Sequence, residues 1–319
     1  MKVSLIATVL NNAEHIEAFL GSLAAQTRAP DEIVIVDGGS ADGTAAMLAG
    51  ADGVTLIEQA GANISRGRNI AIAAAAHDVI AVTDADCVLE STWLEELLRP
   101  LDEGADVAMG FYLPITDGFL SECLAAVNLP LDASEVDPET FMPSARSVAY
   151  RRDAIEAVGG YPEWLDIGED MWVNHRWRER GLDLRFAPDA VARWRLRPTL
   201  RATWWQYFRY ARGDARGGLY PERHALRFGV YGGLAVALAS RRTWPKAVAA
   251  TGAVAYVRVP VRRAWHRMGD ARARAVAAIV VPALMAWIDS AKMAGYAAGL
   301  AELRRGRGSA TRPADDRYP

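Results

Sequence analysis

The sequence predicts an α/β protein: a mostly parallel sheet flanked by helices, followed by a C-terminal helical, basic region suited to a membrane surface. Three observations carry this expectation. Short apolar runs alternate with helical stretches from residue 2 to about residue 99, as strands joined by covering helices do. Three of those runs end in polar clusters, "TVLNN" (8–12), "DGGSADGT" (37–44) and "TDADC" (83–87), and open parallel sheets bind ligands outside the carboxyl ends of their strands. The charge is also split. Residues 193–319 carry 24 Lys and Arg against 7 Asp and Glu, whereas residues 1–192 hold 12 against 32.

The elements follow in order. Residues 2–8 read as a strand, 13–25 as a helix, 32–36 ("EIVIV") as a strand closed by the "DGG" turn, and 41–49 as a helix. A strand near 54–58 and a helix near 67–76 come next; in "SRGRNIAIAAA" (65–75), Ser65 is the expected cap and the two arginines flank the first turn. Val79, Ile80, Ala81 and Val82 form a short buried strand within 79–83, and a helix covers about 92–99. Asp84 and Asp86 then project from that strand's carboxyl end. Two like charges there repel unless a cation or polar ligand offsets them, and in isolation such a pair is a solvated turn. The convergence of three polar strand ends favours a ligand.

Several classes are set aside. Neither a G-x-G-x-x-G after the first strand nor a Walker A loop is present. Cys87 and Cys123 offer at most one bridge and no metal-ligand spacing, so a reducing compartment is expected. "MKVSLIATVLNN" is too short for a signal peptide's apolar region plus cleavage site and reads as a strand.

Taken together, "VSLIATVLNN", "QT…DEIVIVDGGSADGT", "GRNIAI", "VTDADC", "GGYPE" and "GEDMWVNHRWRERG" resemble the family-2 glycosyltransferases with the GT-A fold, over about residues 1–215. The resemblance implies an inverting transfer from a nucleotide-diphosphate sugar, a UDP-sugar first among them, to a hydroxyl of a glycan or lipid-linked acceptor. It implies that Thr8, Val9 and Leu10 line the nucleotide pocket, Asp37 contacts the base, Arg68 lies near base and phosphates, and Asp84 with Ala85 approaches the ribose and donor. Asp86 would hold a Mg²⁺ or Mn²⁺ ion on the diphosphate, as hard cations take oxygen ligands and keep waters. Asp170 would be the general base, supported by Glu169, although acidic residues also favour helix N-termini for electrostatic reasons alone. Arg146 and Ser147 are candidates for the donor sugar or phosphate.

Two departures stand out. Many relatives place a histidine after the Glu-Asp helix; here "VARWRLRP" (191–198) has none, so either Arg193 or Arg195 neutralises the diphosphate or the site is open there. "WWQYFRYARGDARGG" (204–218) resembles the Q-x-x-R-W motif of processive members through Gln206 and Arg209, one helical turn apart, but Tyr210 replaces the tryptophan. Leu200, Trp204 and Phe208 also fit an apolar stripe on a core helix.

The expected organisation is a glycosyltransferase domain over 1–220, a helical membrane-associating region over 221–303 and a disordered basic tail over 304–319. Uncharged runs at 228–240, 247–257 and 275–288 are shorter than the roughly 18–20 residues a span needs. Basic residues flank the first two, as suits helices lying in a membrane interface. The partner expected for this charge is an anionic membrane surface on the cytoplasmic side, and not nucleic acid, because Ala- and Val-rich runs have no use in a phosphate groove. Two rivals differ in class. A sugar-phosphate nucleotidyltransferase would need a glycine-rich phosphate loop that "TVLNNAEH" lacks, and an idle binding module would not need Asp86 and Asp170.

Overall fold

The computed structural model describes residues 1–306. In chain order the elements are β1 (Val3–Val9), α1 (Ala13–Ala24), β2 (Glu32–Asp37), α2 (Thr44–Ala49), β3 (Val54–Glu58), α3 (Ile64–Ala74), β4 (Val79–Val82), β5 (Cys87–Leu89), α4 (Trp93–Asp102), β6 (Val107–Ile115) and α5 (Phe119–Asn128). There follow β7 (Val148–Arg151), α6 (Arg152–Glu156), α7 (Glu169–Glu179), β8 (Leu184–Arg195), α8 (Leu200–Gly217), α9 (Pro221–Ala239), α10 (Thr243–Arg267) and α11 (Ala271–Arg304).

These elements fall into two compact units, residues 1–115 with 132–195, and residues 116–131 with 196 onward. The division differs from the boundary expected at 220. Helix α8 joins the second unit, and so does α5, which supplies Cys123 and Leu124 to an apolar cluster with Val281, Leu284, Met285 and Ile288 of α11. Arg304 ends α11 and Arg305 caps it rather than opening a tail; residues 307–319 of the expected tail lie outside the described residues.

The first unit is built on one sheet of order β3-β2-β1-β4-β7-β6-β8-β5. Strands β1, β2, β3 and β4 pair in parallel, as expected. The far half is mixed: β4 with β7, β7 with β6, and β5 with β8 are antiparallel, whereas β6 with β8 is parallel. Helices cover both faces, so β1 and β4 are buried along their length and read as near-continuous apolar runs. A core cluster packs Val34, Val36, Ile80 and Val82 against Tyr150, Trp172 and Trp177, each large side chain contributing about 1.5–3 kcal/mol through burial.

The sheet order matters for function. Since β1 lies between β2 and β4, the three polar clusters emerge from adjacent strand ends. Val9 is in register with Asp37, and Thr83 donates its N–H to Ile6 at 3.3 Å. Helix α3 starts three residues earlier than expected, because Asn63 rather than Ser65 caps it by accepting from the Arg66 N–H. Ser65 is buried instead, with its hydroxyl donating to the Leu165 carbonyl at 3.0 Å. Gly67 lets α3 approach β1, for a Cβ there would lie 2.8 Å from Thr8 Cγ2.

Candidate active site

The polar strand ends are stitched together by Asn11 and Asn12. Asn11 accepts from the Ala41 N–H at 2.8 Å, and its own N–H donates to Ser40. Asn12 donates its backbone N–H to Thr44 and its side-chain amide to the Ala85 carbonyl, both at 2.8 Å. Both asparagines stand in the first polar cluster, yet nothing in the sequence distinguished them from ordinary turn residues. Thr8 is half-buried, Val9 is buried and Leu10 is exposed at that strand end.

Asp37 is almost wholly buried at the end of β2. Its Oδ1 accepts the N–H groups of Gly39 and Ser40, each at 2.6 Å, and so shapes the "DGGS" turn. Its Oδ2 has no hydrogen-bond partner. A buried carboxylate oxygen left without a donor is expensive, and the cost is removed when a ligand supplies an N–H group.

The two aspartates after β4 are in different surroundings. Asp84 Oδ1 lies 3.0 Å from Arg68 Nη2, and Asp84 Oδ2 lies 3.7 Å from Arg146 Nε. Asp86 is half-buried beside Cys87, whose thiol is pushed well above its ordinary pKa by burial and then by the charges of Asp86 and Asp84. Ala85, between the two aspartates, is buried and held through its carbonyl by Asn12.

Arg68 is the centre of the arrangement. It is 1% exposed. One guanidinium nitrogen pairs with Asp84 and the other with Glu169, and the group lies over the Tyr161 ring at 5.2 Å. Glu169 and Asp170 open α7 behind Gly168, whose φ of +85° suits glycine. Burial pushes the Glu169 carboxyl up, while the guanidinium of Arg68 holds it down. The buried positive charge of Arg68 is strongly stabilised by the same pair.

Asp170 is half-buried and held by backbone donors: Oδ1 accepts from the Met171 N–H at 2.8 Å and Oδ2 from the Ala145 N–H at 3.3 Å. The segment 144–147 therefore touches both carboxylate motifs. Ala145 reaches Asp170, and Arg146 reaches Asp84 while stacking over the Trp194 ring at 4.3 Å. Ser147 is corrected: it is fully buried, and its hydroxyl accepts from Trp93 Nε1 and donates to the Ala190 carbonyl. Arg193 is also placed differently from expectation. It pairs with Glu90, and Arg146 is the arginine found beside Asp84.

Gln206 and Arg209 belong to the second unit. Gln206 donates to the Tyr210 hydroxyl at 2.9 Å, and Arg209 is exposed. The neighbouring Trp204 stacks on Phe208 and donates to Ser290 of α11 at 3.0 Å, so the aromatic stripe serves helix packing.

Among the described residues no group of three or more His, Cys, Asp or Glu is gathered as a metal cage. The arrangement fits a hard cation only where phosphates and waters supply most of the ligands and Asp86 adds a carboxylate oxygen.

Comparisons with known proteins bear on family and fold. Residues 4–159 match the family described as Glycosyl transferase family 2. The chain is 25% identical over 222 residues to the O-antigen chain rhamnosyltransferase RfbN of Salmonella typhimurium, covering 65% of this chain and 71% of that one. It is 29% identical over 233 residues to the succinoglycan biosynthesis protein ExoA of Rhizobium meliloti, covering 67% and 69%. Among solved structures, the mannosyltransferase PcManGT from Pyrobaculum calidifontis, determined with GDP-Man and Mn²⁺, aligns with a TM-score of 0.53 at 18% identity, over 96% of this chain and 86% of that one. The S. aureus protein TarS gives a TM-score of 0.51 at 15% identity, over 95% and 55%. The match to glycosyl transferase family 2 lies in residues 4–159, and the chain is a glycosyltransferase with the GT-A fold.

Proposed function

We propose that the protein is an inverting glycosyltransferase that moves a sugar from a nucleotide-diphosphate donor to a hydroxyl of a glycan or lipid-linked acceptor. The observation that carries this reading is Arg68, which ties Asp84 of the donor motif to Glu169 beside Asp170. That single side chain brings the two carboxylate motifs into one site.

The chemistry divides among the residues as follows. Asp37 offers its unpartnered Oδ2 to an N–H of the base. Thr8 and Leu10 border the nucleotide, while Asp84 and the Ala85 segment face ribose and sugar. Asp170, oriented by two backbone N–H groups, takes the acceptor hydroxyl's proton as that oxygen bonds to the anomeric carbon. The bond from that carbon to the diphosphate oxygen breaks on the opposite face, so one displacement inverts the configuration. Arg146, supported by Trp194, faces charge developing on the leaving diphosphate, where a preorganised cation is most effective. Asp86 would hold Mg²⁺ or Mn²⁺, which supplies further neutralisation of that charge when bound. PcManGT, the fold relative aligned above, was determined with Mn²⁺ and a GDP-sugar, which supports this class of donor without fixing the base.

The acceptor assignment rests on RfbN and ExoA, whose names place them in O-antigen and succinoglycan synthesis. Together with the net positive charge after residue 192, this supports attachment to an anionic surface on the cytoplasmic side of the membrane. Calorimetric titration of the full chain with UDP-, GDP- and dTDP-sugars in Mn²⁺ tests the donor assignment. One of them is expected to bind in the micromolar range, and no binding by any would contradict it.

A further inference from the structure

Within the second unit, one helix is long and apolar enough to cross a membrane among the described residues: α11, with a mean hydropathy of 1.6 over its most apolar window, of which 28% is buried. Its contacts argue for a different role. Gly295 and Gly299 bring it against α8 so closely that a Cβ would lie 2.1 Å from the Phe208 carbonyl oxygen and 2.7 Å from that of Arg212. Arg212 pairs with Glu302 at 2.9 Å. Ala277, Val281, Leu284 and Ile288 pack with α5 and α10 residues such as Leu124 and Ala264. Asp289, 3% exposed, accepts from Arg227 Nε at 2.7 Å and from the hydroxyls of Tyr231 and Tyr256 at 3.0 and 2.6 Å.

Helices α9 and α10 are less buried than α11. Across 228–239 and 247–257 there is no charged residue, and only Ala237 is buried. Val236, Leu238, Val248 and Val254 are 64–71% exposed. Such a surface is unfavourable in water. Cations bracket it: Arg241, Arg242 and Lys246 at the turn, and Arg258, Arg262 and Arg263 at the root.

We propose that the α9–α10 hairpin is the membrane-binding element, lying in the plane of an anionic leaflet, and that α11, packed along one face on α8, α5 and α10, does not span. This rests on the membrane attachment put forward above and names the segment responsible. Length decides the orientation. The uncharged part of α9 is about 18 Å long at 1.5 Å per residue, against a hydrocarbon core of about 30 Å. Upright, the hairpin would leave three cations near mid-bilayer, which is costly. Lying flat, it sinks about 5–10 Å into the headgroup boundary while the cations at both ends meet anionic headgroups. The Asp289 cluster ties the root of the hairpin to α11 and holds it at a fixed angle.

The test uses the full chain and vesicles of phosphatidylglycerol and phosphatidylcholine. The combined variant Val236→Asp, Val248→Asp, Val254→Asp changes only exposed side chains, and its partition into vesicles is expected to fall at least about tenfold with its circular dichroism unchanged. Bimane attached to Ser240→Cys or Val248→Cys, with native Cys87 and Cys123 both buried, is expected to be quenched by shallow but not by mid-bilayer quenchers. No vesicle binding by the unaltered chain would overturn membrane attachment altogether. Undiminished binding by the triple variant, or mid-bilayer quenching at position 240, would overturn the in-plane hairpin and leave attachment standing.

Discussion

Arg68 Nη2 lies 3.0 Å from Asp84 Oδ1, and the same buried guanidinium pairs with Glu169. Removing it leaves two carboxylates facing a desolvated site, and breaking a buried pair from one side costs about 3–5 kcal/mol. Arg68→Met is therefore expected to lower unfolding stability by that amount, measured by urea denaturation. Adding Glu169→Gln to Arg68→Met should recover part of the loss, because it removes one stranded charge. Equal stability of Arg68→Met and the unaltered chain would show that the ion pair contributes nothing.

Asn12 joins the end of β1 to the turn carrying the two aspartates through a single 2.8 Å bond to Ala85. One such bond is worth about 0.5–1.5 kcal/mol. Asn12→Ala is expected to weaken nucleotide-diphosphate binding roughly two- to tenfold by calorimetry, with little change in the unfolding midpoint. A change confined to stability would assign Asn12 to the fold alone.

Asp37→Asn retains Oδ1 for the Gly39 and Ser40 N–H groups but puts an NH₂ donor in place of the unpartnered oxygen. A lost hydrogen bond to a charged acceptor costs about 1.5–3 kcal/mol, so nucleotide affinity should fall about 10- to 100-fold. Affinity for inorganic diphosphate should be unaltered. Parallel losses for both ligands would remove Asp37 from base recognition.

Much of this site was legible in the sequence, and the reasons for the rest are physical. Strands β1 to β4 announced themselves because strands covered on both faces need continuous apolar runs, and their polar ends meet along one edge of the sheet. In the mixed half, β5 is three residues long and β7 four, too short to show a period, whereas β6 and β8, nine and twelve residues long, went unread despite their length. Arg68 beside a helix start reads as solvated; its burial depends on Glu169, 101 residues away. Ser147 looked like a ligand contact because its partners Trp93 and Ala190 come from distant elements. Helix α5 joins the second unit through tertiary packing that no local pattern encodes.

Asp86 is the proposed link to the divalent ion. Mn²⁺ should strengthen donor binding by the unaltered chain, and EDTA should reverse this. In Asp86→Ala the two conditions should give the same affinity, read by calorimetry. A full EDTA effect persisting in Asp86→Ala would move the ion to other ligands.

The central claim is that Asp170, presented by α7 and oriented by the Ala145 and Met171 N–H groups, takes the proton from the acceptor. Asp170→Asn keeps the size of the side chain and removes its basicity. With the donor identified by titration, the rate of sugar transfer by Asp170→Asn is the deciding measurement. It should fall by at least about a hundredfold while donor affinity stays within a factor of about two. Transfer at the unaltered rate, or losses of donor affinity as large as those of turnover, would contradict the account.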